Sequence, residues 1–197
     1  MKPTLIIAID PDVTKSGIAI LNVPTREVKL LSLKFPETIE FLFEHIAAHE
    51  PNEPLAVCIE AGWLNKPNFH IYSHDRPAVA AAKGRSVGRN EQVSRCLIEY
   101  SQWLADKQNT TLITVHAIKP LEKHWYGKDK KITHEELAYF VQGLPTRTNQ
   151  EERDAALIAW THANLQISSK PLPPTQNRLS VQQFKQLIQK NNGNTHS

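Results

Sequence analysis

Apolar residues fall in five short runs whose spacing is that of strands, separated by stretches where the spacing lengthens to that of helices. Leu5-Ile6-Ile7-Ala8-Ile9 is continuous and closed by Asp10, which predicts a buried strand over 5–10. Residues 17–22 read as its hairpin partner, and 28–35 as a third strand alternating around Leu31 and Leu33. Residues 55–60 form a fourth strand, again ending in a carboxylate, Glu60, and residues 111–118 a fifth. Ile39, Leu42, Phe43, Ile46 and Ala47 recur at helical spacing behind Pro36, in a helix that stops before Glu50-Pro51-Asn52. A glycine-punctuated segment, 76–89, leads into an amphipathic helix with Val93, Cys96, Leu97, Tyr100, Trp103 and Leu104 on one stripe. Thr133 and Glu136 have capping-box spacing and start a helix expected to run to Gly143, and a last core helix begins near Gln150.

At 197 residues the chain is long enough for one ordinary domain, assigned to 1–165, with a core that needs neither disulfides nor structural metal. Residues 166–197 read as a proline-rich linker, centred on Pro171-Leu172-Pro173-Pro174, and a short amphipathic or disordered tail carrying Val181, Phe184, Leu187 and Ile188. Cys58 and Cys96 sit in apolar patterns and read as small buried hydrophobes of a reducing compartment, so the expected location is the cytoplasm. The N-terminal apolar run is too short for a signal peptide or a membrane span.

The net charge of +3 and pI of about 8.8 permit a nucleic-acid partner. The distribution of charge is more informative than its sum. Lys83, Arg85 and Arg89 cluster around two glycines, and Lys119, Lys123, Lys128, Lys130 and Lys131 crowd a loop opposed only by Glu122 and Asp129. Phe69 and Tyr72, with Trp63, His70 and His74, follow Glu60 where they could stack on bases, and His124, Trp125 and Tyr126 mix aromatic surface into the lysine-rich loop. His116, inside the fifth strand, reads as a core histidine.

Four acids carry the candidate chemistry. Asp10 and Glu60 each end a strand, so they belong at one sheet edge, and Glu151 and Asp154 lie three apart on the last helix. Each alone has a plain alternative, as turn former, cap or helix N-terminal charge. Together they are an oxygen-donor set suited to Mg2+, with Mn2+ possible, and phosphodiester hydrolysis by two ions about 4 Å apart needs such a set. Whether Glu151 or its neighbour Glu152 completes the set is open at this stage.

The order of elements and the segments Ile9-Asp10-Pro11 with Gly17, Ile59-Glu60-Ala61, Gly88-Arg89-Asn90, Ile118-Lys119 and Glu151-x-x-Asp154-Ala155-Ala156-Leu157 resemble RuvC-type Holliday junction resolvases, over about residues 4–165. The family's pattern differs at two places, with aspartate in place of Glu151 and glycine in place of Asp12. The resemblance implies an α/β ribonuclease H-like fold with a mixed five-stranded sheet flanked by helices. It further implies two divalent cations on Asp10, Glu60, Glu151 and Asp154, and Lys119 near the scissile phosphate. A homodimer making paired cuts in branched DNA, a Holliday junction, follows from the same resemblance. The rival readings are a ribonuclease H-like nuclease acting on RNA or RNA–DNA hybrid, and a catalytically silent nucleic-acid-binding scaffold of the same fold. An actin-like ATPase would need two such domains.

Overall fold

The computed structural model describes residues 2–49, 52–65 and 74–168. Phe69, His70, Tyr72 and the tail stripe from Val181 to Ile188 lie outside the described residues. Five strands, β1 (Leu5–Asp10), β2 (Ser16–Asn22), β3 (Glu27–Leu33), β4 (Leu55–Glu60) and β5 (Ile113–Ile118), form one sheet in the order β3-β2-β1-β4-β5. The β1–β2 and β2–β3 pairs are antiparallel, and β1–β4 and β4–β5 are parallel. Helices α1 (Phe35–Ala47), α2 (Pro77–Lys107), α3 (His134–Ala138) and α4 (Gln150–His162) flank it. This is the expected α/β class, a mixed five-stranded sheet flanked by helices.

Strand parity divides the core in two. Ile7, Ile9, Ile18, Val57 and Ile59 pack with Phe41, Leu42 and Ile46 of α1 and Leu97 and Leu104 of α2. On the other face Ile6, Ala8, Ala19, Leu21, Ala56 and Cys58 meet the buried run Ala155 to Trp160 of α4. That second face is rich in alanine on both sides, so α4 lies close over the central strands.

Several expected boundaries shift, each for a local reason. Strand β3 ends at Leu33, not at residue 35, because the Lys34 backbone N–H donates to Glu37 Oε2 at 2.8 Å and Phe35-Pro36 enters the first turn of α1. The glycine-punctuated segment is itself helical: α2 starts with Pro77 and runs through Gly84 and Gly88. Each glycine costs about 1 kcal/mol against alanine, which the Ala78, Ala80, Ala81 and Ala82 run offsets. The buried residues of α2 include Ser94, Leu97, Ser101 and Leu104, so Trp103 is 53% exposed and Cys96 only half-buried, against the expected stripe. The Thr133–Glu136 capping box forms, with Glu136 N–H donating to Thr133 Oγ1 and Thr133 N–H to Glu136 Oε2. Helix α3 nonetheless ends at Ala138, its last turn tightening through Tyr139 N–H to Glu136 O and Phe140 N–H to Leu137 O, before Gly143 at φ 75°. His116 is half-buried on the edge strand β5 rather than in the core, its ring 4.7 Å from that of His162. No helix among the described residues is long and apolar enough to cross a membrane.

Candidate metal centre

Asp10 continues the Ile6, Ala8 parity of β1, and Glu60 the Ala56, Cys58 parity of β4, so both carboxylates stand on the face that α4 covers. The parallel register pairs Ile9 with Ile59, which sets the next residues of both strands side by side at the sheet's edge. Gly17, paired with Asp10 across the β1–β2 hairpin, decides how near α4 comes. A Cβ there would lie 2.0 Å from the backbone carbon and oxygen of Glu151, so only glycine admits the first turn of the helix. That turn is closed by a capping box: Glu152 N–H donates to Asn149 Oδ1 at 2.8 Å and Asn149 N–H to Glu152 Oε2 at 2.9 Å. Glu152 is thus engaged in capping, whereas Glu151 lines the cleft together with Asp10, Glu60 and Asp154.

The cleft has a volume of about 1160 Å³. Burial, and then the charges of Glu60 and Asp154, push the Asp10 carboxyl well above its ordinary range; Lys131 opposes them and Glu151 adds to them. Burial likewise raises Glu60, with Asp154 reinforcing and Lys131 and Lys123 opposing. Burial alone would lower the Lys131 ammonium, but its hydrogen bond to Asp154 and the charges of Asp154, Asp10 and Glu151 outweigh that and raise it. Lys131 Nζ donates to Asp154 Oδ2 at 2.8 Å, and Gln150 Nε2 donates to Asp154 Oδ1 at 2.8 Å. Gln150 is itself held by Arg153, whose Nη2 donates to Gln150 Oε1 at 2.9 Å while its Nε donates to Ile132 O.

Asp10 and Glu60, whose proton affinity burial and the neighbouring carboxylates raise, join Glu151 and Asp154 in a hard-oxygen donor set with an excess of negative charge, which is the chemistry a divalent cation fits. Among the described residues no three acidic, histidine or cysteine side chains are drawn in tightly enough to hold an ion as they stand. The ammonium of Lys131 is the compensating charge in their midst.

The remaining expected contacts divide. Lys119, Lys123 and Lys131 line the cleft, and Lys128 and Lys130 are exposed on the adjoining turn. Lys83 pairs with Asp75 at 2.8 Å. Arg85 and Arg89 are exposed, on the side of α2 opposite the cleft-lining Val87, Asn90, Glu91 and Ser94. Trp63 stacks under the Arg95 guanidinium at 4.1 Å. Asp12 serves its turn through its side chain, Oδ1 accepting from Thr14 N–H at 2.7 Å, with a negative φ, so the glycine of the family pattern is not needed there. Sequence reasoning missed the supporting roles of Gln150 and Asn90, whose Oδ1 accepts from Val13 N–H at 3.4 Å. It also placed Lys131 with the DNA-facing lysines. The signal was present in Ile132, a fully buried residue that draws its neighbour inward.

The sequence matches no protein-family model, and comparison with curated proteins returns no match. Among solved structures the chain is similar to T. thermophilus RuvC in complex with Holliday junction substrate, at 17% identity and a TM-score of 0.42, covering 81% of this chain and 92% of that one. It is also similar to the yeast mitochondrial Holliday junction resolvase Ydc2, at 13% identity and a TM-score of 0.36, covering 82% and 81%.

Proposed function

We propose that the protein is a magnesium-dependent, structure-selective DNA endonuclease that resolves Holliday junctions by paired cuts as a homodimer. The observation that supports this reading is the convergence of Asp10, Glu60, Glu151 and Asp154 on one cleft that also presents Lys119 and Lys123. The choice of a four-way junction rests on the residue resemblance. Bound divalent cations, with Mg2+ expected and Mn2+ possible, would activate water and stabilise the leaving oxygen. The chain's own residues do the rest. Asp10, Glu60, Glu151 and Asp154 are the proposed ligands, and burial keeps their field strong. Lys119, exposed at the cleft, would meet charge that develops on the scissile phosphate. Lys123, Lys128 and Lys130 extend that positive surface along the loop, where phosphate contacts supply affinity and register. Two copies on a two-fold junction would make the two cuts.

The test incubates the full chain with four-way junction, duplex, RNA–DNA hybrid and single-stranded substrates, with and without Mg2+. The expected result is metal-dependent cleavage of the junction, lost in Asp10→Asn with junction binding retained. Preference for the hybrid would favour the ribonuclease reading. Binding without cleavage of any substrate would favour the silent scaffold.

A further inference from the structure

We propose that the Lys131 ammonium is a resident counter-ion of the carboxylate cluster, which competes with a divalent cation for Asp154 and so sets the cation affinity of the site. The inference rests on the metal-centre reading above. Both oxygens of Asp154 are occupied, but by unlike partners. Gln150 is neutral, also reaches Ile132 O, and is braced by Arg153, so it can hold Oδ1 whatever else is bound. Lys131 is a full positive charge among four carboxylates, and a divalent cation entering the same cluster would repel it.

The backbone beneath Lys131 is fixed. Gly127 N–H donates to Lys131 O at 3.0 Å, Lys131 N–H to Lys128 O at 3.1 Å and Trp125 N–H to Lys130 O at 3.1 Å. Asp129 and Lys130 take up left-handed conformations at φ 56° and 59°, and a Cβ on Gly127 would stand 2.3 Å from Lys131 O. Tyr126 N–H donates to Glu136 Oε1 at 3.0 Å, and Ile132 is fully buried, so the turn is anchored at both ends. Adaptation therefore falls on the four-carbon stem of Lys131, whose compact, rotatable ammonium can leave Asp154 for the open cleft, where a phosphate would accept it. A lysine that neutralises the empty site and then turns to substrate accounts for its place in the cleft and for its being tethered by a rigid turn.

Calorimetric titration of the full chain with Mg2+ and with Mn2+, without DNA, tests this. Lys131→Met should bind either cation up to about fivefold more tightly than wild type, the change expected from removing one competing, partly exposed ion pair. Its melting temperature without divalent cations should fall below wild type, and saturating Mg2+ should close the gap. Lys131→Arg, which keeps the charge, should bind no more tightly than wild type. Unchanged or weaker binding by Lys131→Met, or tighter binding by Lys131→Arg, would overturn the counter-ion role. In that case metal binding by wild type, abolished in Asp10→Asn, would leave the metal-centre reading standing. Absence of binding in every variant, wild type included, would remove both.

Discussion

Gly17→Ala separates crowding from conformational preference, because the two act with opposite sign. Gly17 has an ordinary strand conformation, not a left-handed one, so alanine there meets no backbone strain and by propensity alone would stabilise β2 by about 0.5–1 kcal/mol. The new methyl would however lie 2.0 Å from Glu151 C and O and 2.5 Å from Glu152 N, all of them backbone atoms with no rotamer to escape into. Restoring an ordinary contact of about 3.5 Å asks the first turn of α4 to retreat by about 1.5 Å. Overpacking of this kind costs about 1–3 kcal/mol, so the net effect is destabilising. The retreat carries Glu151 away from Asp10, and a displacement of about 1 Å in a catalytic constellation lowers rates by about a hundredfold. Urea unfolding gives the first quantity and single-turnover cleavage of a four-way junction the second. A Gly17→Ala protein as stable as wild type, or more so, would refute the argument that proximity to α4 selects glycine. A destabilised protein cleaving at the wild-type rate would refute the argument that this contact positions Glu151.

Gly88→Ala is the complementary experiment: nothing lies within 4 Å of the added Cβ in mid-helix, so urea unfolding should show a gain of about 0.5–1 kcal/mol. Without divalent cations stability should fall as pH rises, because Asp10 and Glu60 hold protons in the native state that the unfolded chain has released. That contribution is fully present below their ordinary values of 3.8 and 4.5 and is lost as pH rises through the raised native values; urea midpoints across this range in chelator should show it, with a flatter profile in Asp10→Asn. Replacing Lys128 and Lys130 by alanine should weaken junction binding and reduce the log–log salt slope by up to about 1.8, measured by titration at several salt concentrations, and an unchanged slope would return both to solvated surface.

The chain's own pattern determined the strands and the acid at the end of each of two of them. Continuous apolar runs of five or six residues closed by a carboxylate have few other solutions in a domain of this size, and β1 and β4 fall where those runs lie. The capping box at Thr133 is likewise local chemistry. What the sequence left open is what depends on long-range geometry. Two helical glycines read as punctuation because propensity is weak where neighbouring alanines and a long continuous helix outweigh it. Glu151 and Glu152 are indistinguishable by type, and only the path of the first turn of α4 assigns one to the cap and the other to the cleft. Lys131 looks like its neighbours Lys128 and Lys130 in any linear reading. It differs because buried Ile132 and the tight turn at Gly127 bring it 2.8 Å from a carboxylate 23 residues away, and an attraction across such a distance in sequence exists only once the sheet, α4 and the loop have packed together.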